Sequence, residues 1–393
     1  MATLEFVSPK KIKPTLRKTL EDKLYYAHKG LKNIEFTDSE ANRKPLIKVE
    51  YEGEISEVDL QEKIVELIKK FARGFMEVEK EILYDRRDQI PFNQKEIYPA
   101  LIKKGWIHEY ETGRVALDGP SMRLYNFFDG QFLKIAAAME AKPIRFPVLI
   151  GVDTLKTADY FASFPHHITL ATHLVEDANK IQASAEKFAQ DQDPGHFSEI
   201  EEATEHVCSP AVCFHLYQLL SGKKLDQLIR RTAISNCFRY ESGNMNTLER
   251  LWDFNMREII FVGESDKVDQ LRRDAMVPVM ELVDKLKLKS HIETASDPFF
   301  VNNYAGQTFY QLSHRTKYEL LLNIPSRGEE GTAAASFNWH QNFFGSKFKI
   351  TTSQNQEAGT ACTAFGIERW VYAFLSQYGL EKANWPQYLT DNW

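Results

Sequence analysis

The 393-residue sequence predicts a sheet covered by helices, preceded by a smaller N-terminal α+β unit. Short apolar runs at residues 146–150 and 258–262 indicate strands, and they alternate with segments of helical periodicity. The smaller unit is indicated by a basic start, a strand-like stretch at residues 46–51 and an amphipathic helical pattern, all before residue 90. A chain of this length, with 43% apolar and 26% charged residues, is expected to fold into two globular domains.

The N-terminal unit is expected to span residues 1–100, and the larger domain residues 101–393. A charged stretch at residues 85–88, followed by Pro91, punctuates the chain before this boundary. Apolar residues at helical spacing predict one helix in the N-terminal unit with a single buried face. That face consists of Leu60, Ile64, Leu67, Ile68 and Phe71.

The clearest helix of the larger domain follows the apolar strand at residues 258–262. Ser265 is suited to cap its N-terminus, and Asp266 and Asp269 place negative charge in its positive first turns. Its apolar positions predict packing against the sheet. These positions are Val268, Leu271, Met276, Val283 and Leu286.

The charge balance argues against a broad nucleic-acid-binding surface. The formal charge is −6 and the pI is about 6.1, so the chain has no general cationic field to attract phosphates. The sequence has no apolar run of membrane-spanning length, and its start lacks the apolar stretch of a secretory signal. We therefore expect a cytoplasmic protein that does not enter a membrane.

Two arginines lie where phosphate groups could be bound. Residues 237–241 and 251–260 predict an antiparallel hairpin, with Arg239 and Glu241 on one face of its first strand. A salt bridge between these two side chains and a phosphate-binding role for Arg239 both fit the pattern. Near the C-terminus, a glycine-bearing turn leads into an amphipathic helix whose first turn carries Arg369, which suits a second anion contact.

Three stretches resemble the motifs of class II aminoacyl-tRNA synthetases. Motif 1, motif 2 and motif 3 correspond to residues 145–147 with 164–165, residues 238–241 with Arg257, and residues 366–369. The similarity covers roughly residues 110–380. It implies the class II catalytic fold, a mainly antiparallel sheet flanked by helices, and a homodimer, because motif 1 contributes to the dimer interface in that family.

The resemblance also implies an ATP site. In the family, the motif 2 arginine contacts the α-phosphate and the motif 3 arginine the γ-phosphate, which gives those roles to Arg239 and Arg369. Glu241 and Arg250 would complete the site. Phe254 matches the aromatic residue that stacks on adenine, although packing within a strand also explains an aromatic side chain there.

Mg²⁺ is expected to bridge the ATP phosphates. The family often supplies an acidic Mg²⁺ ligand on the strand before motif 3, whereas residues 332–338 carry no acid here. This difference leaves open a paralogue without catalytic activity that serves as a binding subunit. Retention of Arg239 and Arg369 favours an enzyme, because a scaffold has no physical need for charged groups inside a cleft.

Cys213, Glu258 and Cys362 form the candidate metal site. Their spacing matches no local zinc motif, and buried structural thiols would explain the cysteines equally well. Resemblance to atypical archaeal seryl-tRNA synthetases and to amino acid:[carrier protein] ligases implies a Cys–Glu–Cys zinc site at these positions. Three protein ligands leave one tetrahedral position for a substrate, which in those relatives is the amino group of the amino acid.

The amino-acid pocket is expected along residues 317–320 and 336–340, which resemble the strands that line it in these relatives. Ser336 and Asn338 are the candidate polar contacts, and Trp339 or His340 the candidate walls. A small amino acid is the expected substrate.

Two acceptors for the activated amino acid fit the sequence. The phosphopantetheine thiol of a carrier protein is favoured by the acidic chain, by the lack of a long coiled-coil arm, and by the resemblance at residues 336–340 and 343–345. The alternative is seryl-type aminoacylation of tRNA. Basic patches in the N-terminal unit would suit either acceptor, or simply a solvated surface.

Overall fold

A computed structural model describes residues 1–38, 44–202, 205–301, 303–329 and 331–393. The strands, in chain order, are β1 (Ala2–Val7), β2 (Leu31–Thr37), β3 (Leu46–Tyr51), β4 (Ile82–Asp85), β5 (Ile107–Glu111), β6 (Arg114–Leu117), β7 (Lys142–Pro143), β8 (Leu149–Gly151), β9 (Leu170–Ala171), β10 (His206–Cys208), β11 (Ile229–Phe238), β12 (Asp253–Gly263), β13 (Ser290–Thr294), β14 (Lys317–Asn323), β15 (Gly331–Trp339) and β16 (Gly359–Gly366). The helices are α1 (Pro14–Leu24), α2 (Glu57–Phe71), α3 (Tyr98–Lys103), α4 (Gly119–Ala138), α5 (Val152–Thr157), α6 (Tyr160–Ser163), α7 (Ala178–Asp191), α8 (Gly195–Ser198), α9 (Cys213–Leu219), α10 (Ser265–Leu286), α11 (Tyr304–Ser313), α12 (Phe343–Lys347), α13 (Ile367–Tyr378) and α14 (Gln387–Thr390). Within the described residues, no helix has both the length and the apolar character needed to cross a bilayer.

The N-terminal unit is an antiparallel sheet in the order β1-β3-β2, packed against α1 and α2. Helix α2 begins where the Ser56 side chain accepts a hydrogen bond from the Asp59 backbone N–H. The predicted helix is confirmed: four residues of its expected apolar face are fully buried, and Leu67 is partly buried. Strand β4, which also lies before residue 100, instead pairs with β13. The division at residue 100 stays a prediction.

The larger domain is built on a sheet with the order β4-β13-β14-β15-β16-β12-β11-β7 in the described residues. Neighbouring strands are antiparallel except β7 and β11. The predicted hairpin is β11 and β12, and its register opposes Cys237 to Phe254. The predicted α+β class, with a mainly antiparallel sheet flanked by helices, is confirmed.

Helix α10 confirms the predicted segment but not its predicted cap. The helix begins at Ser265 itself, and Glu264 occupies the N-cap position without a side-chain cap hydrogen bond. The cap prediction was wrong because the strand-to-helix turn is one residue shorter than expected. Asp266 still lies in the first turn, where it suits the positive end of the helix dipole.

The large sheet has two different faces. Alternate residues of β12 and β16, such as Ile259, Phe261 and Phe365, join a core with helices α4, α10 and α13. The residues between them point to the opposite face, because side chains alternate along a strand. Cys362 and Ala364 belong to this second face, which only partly packs into another apolar core. The remainder of that face forms a cleft.

Candidate active site

The cleft has a volume of about 220 Å³, and β12, β14, β15 and β16 contribute to its walls. The strand register opposes Glu319 to Ser336, Ser336 to Ala364 and Ala364 to Glu258. Side chains from four strands therefore form one row across the sheet. The next row of lining residues consists of Lys317, Asn338 and Cys362.

Arg239, the predicted α-phosphate ligand, lines this cleft directly after the end of β11. Its Nε donates a hydrogen bond to the carbonyl O of Pro210 over 3.0 Å, which anchors one edge of the guanidinium. Its Cζ lies 5.6 Å from the ring centroid of Phe254, another lining residue and the predicted adenine neighbour. Arg257, from the same motif, lies on the opposite face of β12 and pairs with Asp129.

Arg369, the predicted γ-phosphate ligand, also lines the cleft, from the first turn of α13. Its Nε donates to the carbonyl O of Glu249 over 2.6 Å, and its Nη1 donates to the carbonyl O of Ala333 over 2.8 Å. Burial lowers the pKa of this arginine from its usual value. A guanidinium stays charged at any physiological pH, so two anchored cations face one cavity, as a polyphosphate requires.

Glu241 lines the cleft, whereas Arg250 is absent from the described residues that line it. Arg250 Nη1 instead donates to Glu241 Oε2 over 3.3 Å. Its Nη2 donates to Oδ2 of Asp22, in the N-terminal unit, over 2.9 Å. The sequence-predicted ATP residue Arg250 therefore stands behind Glu241 in this conformation.

The candidate metal ligands Cys213, Glu258 and Cys362 meet at one end of the cleft. Cys213 begins α9, while Glu258 and Cys362 lie on the adjacent strands β12 and β16. One ligand atom from each residue lies within 4.8 Å of the other two. Their exposed fractions are 5%, 1% and 3%, so the three groups are buried together.

The donor set fits Zn²⁺. Glu258 Oε1 accepts a hydrogen bond from the Val212 N–H over 3.0 Å, but Oε2 is buried without a hydrogen-bond partner among the described residues. Burial and the negative charge of the nearby Cys362 thiolate raise the pKa of Glu258 to about 8. The close approach of the two sulfur atoms raises the pKa of Cys213 and lowers that of Cys362. A divalent cation on two thiolates and a carboxylate would satisfy these otherwise costly buried groups.

The predicted amino-acid contacts lie beside this cluster. Asn338 Nδ2 donates to Ser336 Oγ over 3.0 Å and to Cys362 Sγ over 3.4 Å. Of the two candidate walls, His340 lines the cleft, while Trp339 does not occur among the described lining residues. Strand parity explains this difference, because Trp339 points to the face opposite its two neighbours.

The sequence did not single out a charged triad in the same cleft. Lys317 Nζ lies 2.6 Å from Asp297 Oδ1 and 2.9 Å from Glu319 Oε1. The nearby carboxylates raise the pKa of this lysine despite its burial. Two charged residues, Lys317 and Glu319, on one face of an otherwise apolar strand could have indicated a functional site from the sequence. Asp297 lies in a loop after β13, where no sequence pattern indicates its role.

Glu368 is a second missed residue, and it predicts a pH-dependent stability. Its carboxylate accepts hydrogen bonds from the Asn255 N–H over 2.9 and 3.1 Å, and burial raises its pKa to about 7. This value exceeds the unfolded value of about 4.3, so between these two pH values the folded protein holds a proton on Glu368 that the unfolded chain has lost. The free energy of unfolding therefore includes the full contribution of this group below pH 4 and loses it as the pH rises towards 7.

We expect Glu368→Gln to flatten this dependence by up to about 3 kcal/mol between pH 4 and 8. Urea denaturation of both proteins at the two pH values measures it, with the exposed Glu381→Gln as the control. Equal pH dependence in wild type and Glu368→Gln would show that the carboxyl group titrates normally.

Comparisons with known proteins give two groups of relatives. Amino acid–[acyl-carrier-protein] ligase 1 of Bradyrhizobium diazoefficiens is 31% identical over 250 residues, which cover 63% of this chain and 75% of that protein. The type-2 serine–tRNA ligase of Methanothermobacter thermautotrophicus is 23% identical over 396 residues, which cover 92% of this chain and 74% of that protein. No model of a protein family matches the chain.

The fold has a counterpart among solved structures. The crystal structure of M. kandleri seryl-tRNA synthetase with A. aeolicus tRNASec superposes with a TM-score of 0.74 at 17% identity. The superposition covers 98% of this chain and 76% of that chain, so the likeness in fold extends over the N-terminal unit as well as the large sheet.

Proposed function

The chain belongs to the class II aminoacyl-tRNA synthetase-like ligases, with the amino acid–[acyl-carrier-protein] ligases and type-2 serine–tRNA ligases, and we propose that it charges a carrier protein. It is an ATP-dependent ligase of the kind that forms an aminoacyl-adenylate. Specifically, the aminoacyl group of a small amino acid would pass from the adenylate to the phosphopantetheine thiol of a carrier protein.

The observation that carries this proposal is the convergence of two unlike groups in one cleft. Arg239 and Arg369 supply positive charge for a polyphosphate, and Cys213, Glu258 and Cys362 supply a compact metal-binding cluster. A synthetase that activates an amino acid needs both an ATP site and a site that distinguishes an amino acid from other carboxylic acids.

In the proposed reaction, an oxygen of the amino-acid carboxylate attacks the α-phosphorus of ATP, and the bond to the leaving pyrophosphate breaks. No protein nucleophile is needed, so the residues act by alignment and by neutralising charge that develops on the phosphates. Arg239 would hold the α-phosphate and Arg369 the γ-phosphate, with Phe254 against the adenine. Mg²⁺ would accompany the phosphates of ATP.

Cys213, Glu258 and Cys362 would hold Zn²⁺, which when bound supplies a Lewis-acid site for the neutral amino group of the substrate. Ser336 and Asn338 would contact the amino acid from the neighbouring strand. In the second half-reaction the acceptor thiol attacks the carbonyl carbon of the adenylate, AMP leaves, and a thioester forms.

Two observations support a carrier protein as the acceptor. The carrier-protein ligase of B. diazoefficiens has the higher sequence identity, 31% against 23% for the M. thermautotrophicus serine–tRNA ligase. The chain also carries a formal charge of −6, which disfavours long-range attraction to RNA.

Aminoacylation of tRNA is the second candidate, and a specific observation favours it. The match to the type-2 serine–tRNA ligase of M. thermautotrophicus covers 92% of this chain, against 63% for the carrier-protein ligase of B. diazoefficiens. A likeness over nearly the whole chain supports the acceptor named for that relative, tRNA.

A homodimer is part of the proposal. The small sheet β8-β10-β9 adjoins the two parts of motif 1 in sequence and exposes Leu149 by 46% and Leu170 by 55%. A second copy covering these apolar side chains would remove them from water.

Transfer of labelled amino acid to purified acceptors tests the proposal. With ATP, Mg²⁺ and a small amino acid, we expect label on a holo carrier protein, in a bond cleaved by neutral hydroxylamine, and none on the apo form, which lacks the thiol. Label on tRNA alone would replace this proposal with the second candidate. Arg239→Gln is the control for adenylate-dependent transfer.

A further inference from the structure

A short segment of the N-terminal unit, residues 22–26, contacts two parts of the cleft border at once. On one side, Tyr26 Oη donates to the carbonyl O of Tyr240 over 3.2 Å, next to the lining residue Glu241. On the other side, Lys23 Nζ donates over 2.7 Å to the carbonyl O of Pro298, which itself lines the cleft. The segment therefore ties together two borders that are distant in sequence.

The same segment packs closely on the loop of the β11–β12 hairpin. The aromatic ring of Tyr25 lies so near Gly243 that a Cβ at this position would overlap the ring. Asn244 Nδ2 donates to the backbone carbonyl O of Asp22 over 2.8 Å. The loop that carries the predicted ATP residues is thus held by backbone and side-chain contacts from another structural unit.

A chain of charges continues from this contact to the cleft. Arg250 bridges the carboxylates of Asp22 and Glu241, at 2.9 and 3.3 Å respectively. The side chains of Asp22, Arg250 and Glu241 are 36%, 25% and 18% exposed, so the pairs are only partly screened by solvent. Only Glu241, at the end of this chain, lines the cleft.

We infer that Asp22 is a positioning residue of the ATP site, whose carboxylate holds Arg250 against Glu241 and so fixes the hairpin loop. This inference rests on the proposed binding of ATP in this cleft. It goes beyond that function, because it makes the N-terminal unit a working part of the adenylation site rather than only a surface for the acceptor.

Loss of the charge on Asp22 would free Arg250 on one side. Because one terminal nitrogen of Arg250 donates to Glu241 and the other to Asp22, the guanidinium is restrained from both sides. With only Glu241 left as a partner, the arginine can rotate away together with the loop. Binding of ATP must then also order the groups that contact it, and this entropy loss weakens binding. The opposite arrangement, in which Asp22 competes with the phosphates for Arg250, predicts tighter ATP binding in the variant.

Calorimetric titration of ATP with Mg²⁺ into the full chain tests this. Asp22→Asn is expected to raise the Kd for ATP about tenfold, since the free energy of one hydrogen bond to a charged group corresponds to about a tenfold change in Kd. In pyrophosphate exchange, the KM for ATP should rise with it, while the KM for the amino acid stays within about twofold. Glu52→Gln, which removes an exposed partner of Lys32 in the same unit, is the matched control.

A double-mutant cycle separates positioning from a general structural role. Arg250→Gln alone should weaken ATP binding, and adding Asp22→Asn should then have little further effect, because both act through one contact. Additive losses, an unchanged Kd, a tighter Kd, or equal rises in both KM values together with a lower Tm would each overturn the inference. A wild-type chain that binds no ATP would refute the proposed function itself.

Discussion

Replacing Arg239 by glutamine is expected to lower kcat/KM for adenylate formation by roughly two to three powers of ten, as removal of one preorganised charge-stabilising donor does in other enzymes. The guanidinium lines the cleft, is anchored by Pro210 and lies over Phe254. Under the proposed function, it would face the negative charge that develops on the α-phosphate. Glutamine keeps a donor of similar shape but has no charge. Amino-acid-dependent exchange of pyrophosphate into ATP measures the loss.

Arg231→Gln is the matched control for this variant, because Arg231 lies on β11, the strand that leads directly into Arg239, and is absent from the described lining of the cleft. Within the part of the chain that the structure describes, the Nη1 of Arg231 donates to the carbonyl O of Arg230. We expect near-wild-type exchange in this control. Retention of a third or more of the exchange rate by Arg239→Gln would refute direct contact with the reacting phosphate, because loss of such a contact lowers the rate far more than threefold.

Replacing Cys213 by alanine is expected to abolish zinc binding and, with it, activation of the amino acid. Cys213 supplies one of three converging ligand atoms, and the loss should exceed the roughly ten- to hundredfold effect on affinity that is typical of residues behind a metal's direct ligands. Metal content by mass spectrometry should fall from about one zinc per chain to a small fraction. Exchange activity should fall with it.

Cys208→Ala is the control here, because Cys208 is half-buried and lies outside the cluster. It should keep both zinc and exchange activity. A folded Cys213→Ala protein that retains stoichiometric zinc would contradict the assignment, as would a wild-type protein that is active after chelation has removed all metal.

The hairpin and the two arginines could be predicted from the sequence because each lies in a local pattern. The strand period and polar loop marked β11 and β12, and the glycine-bearing turn before α13 marked Arg369. The metal cluster could not be derived from spacing. Cys213 lies at the start of α9, whereas Glu258 lies on strand β12. Cys362 lies beside Glu258 because its strand, β16, pairs with β12. Only the resemblance to the family indicated that these residues meet.

Contacts between distant segments explain which site residues could not be predicted from the sequence. Asp22 lies 228 residues before Arg250, and no local pattern links the two. Asp297 reaches the cleft from a loop that carries no motif, where it pairs with Lys317. The difference between Trp339 and His340 follows from strand parity: if Asn338 faces the cleft, Trp339 faces away from it and His340 faces it again.

The most direct test of the account is amino-acid-dependent ATP–pyrophosphate exchange by the purified, zinc-loaded chain, with a scan of small amino acids. We predict exchange with at least one small amino acid, and its loss in both Arg239→Gln and Cys213→Ala. A folded, zinc-loaded protein that binds ATP but shows no exchange with any amino acid would contradict the claim that this cleft forms an aminoacyl-adenylate.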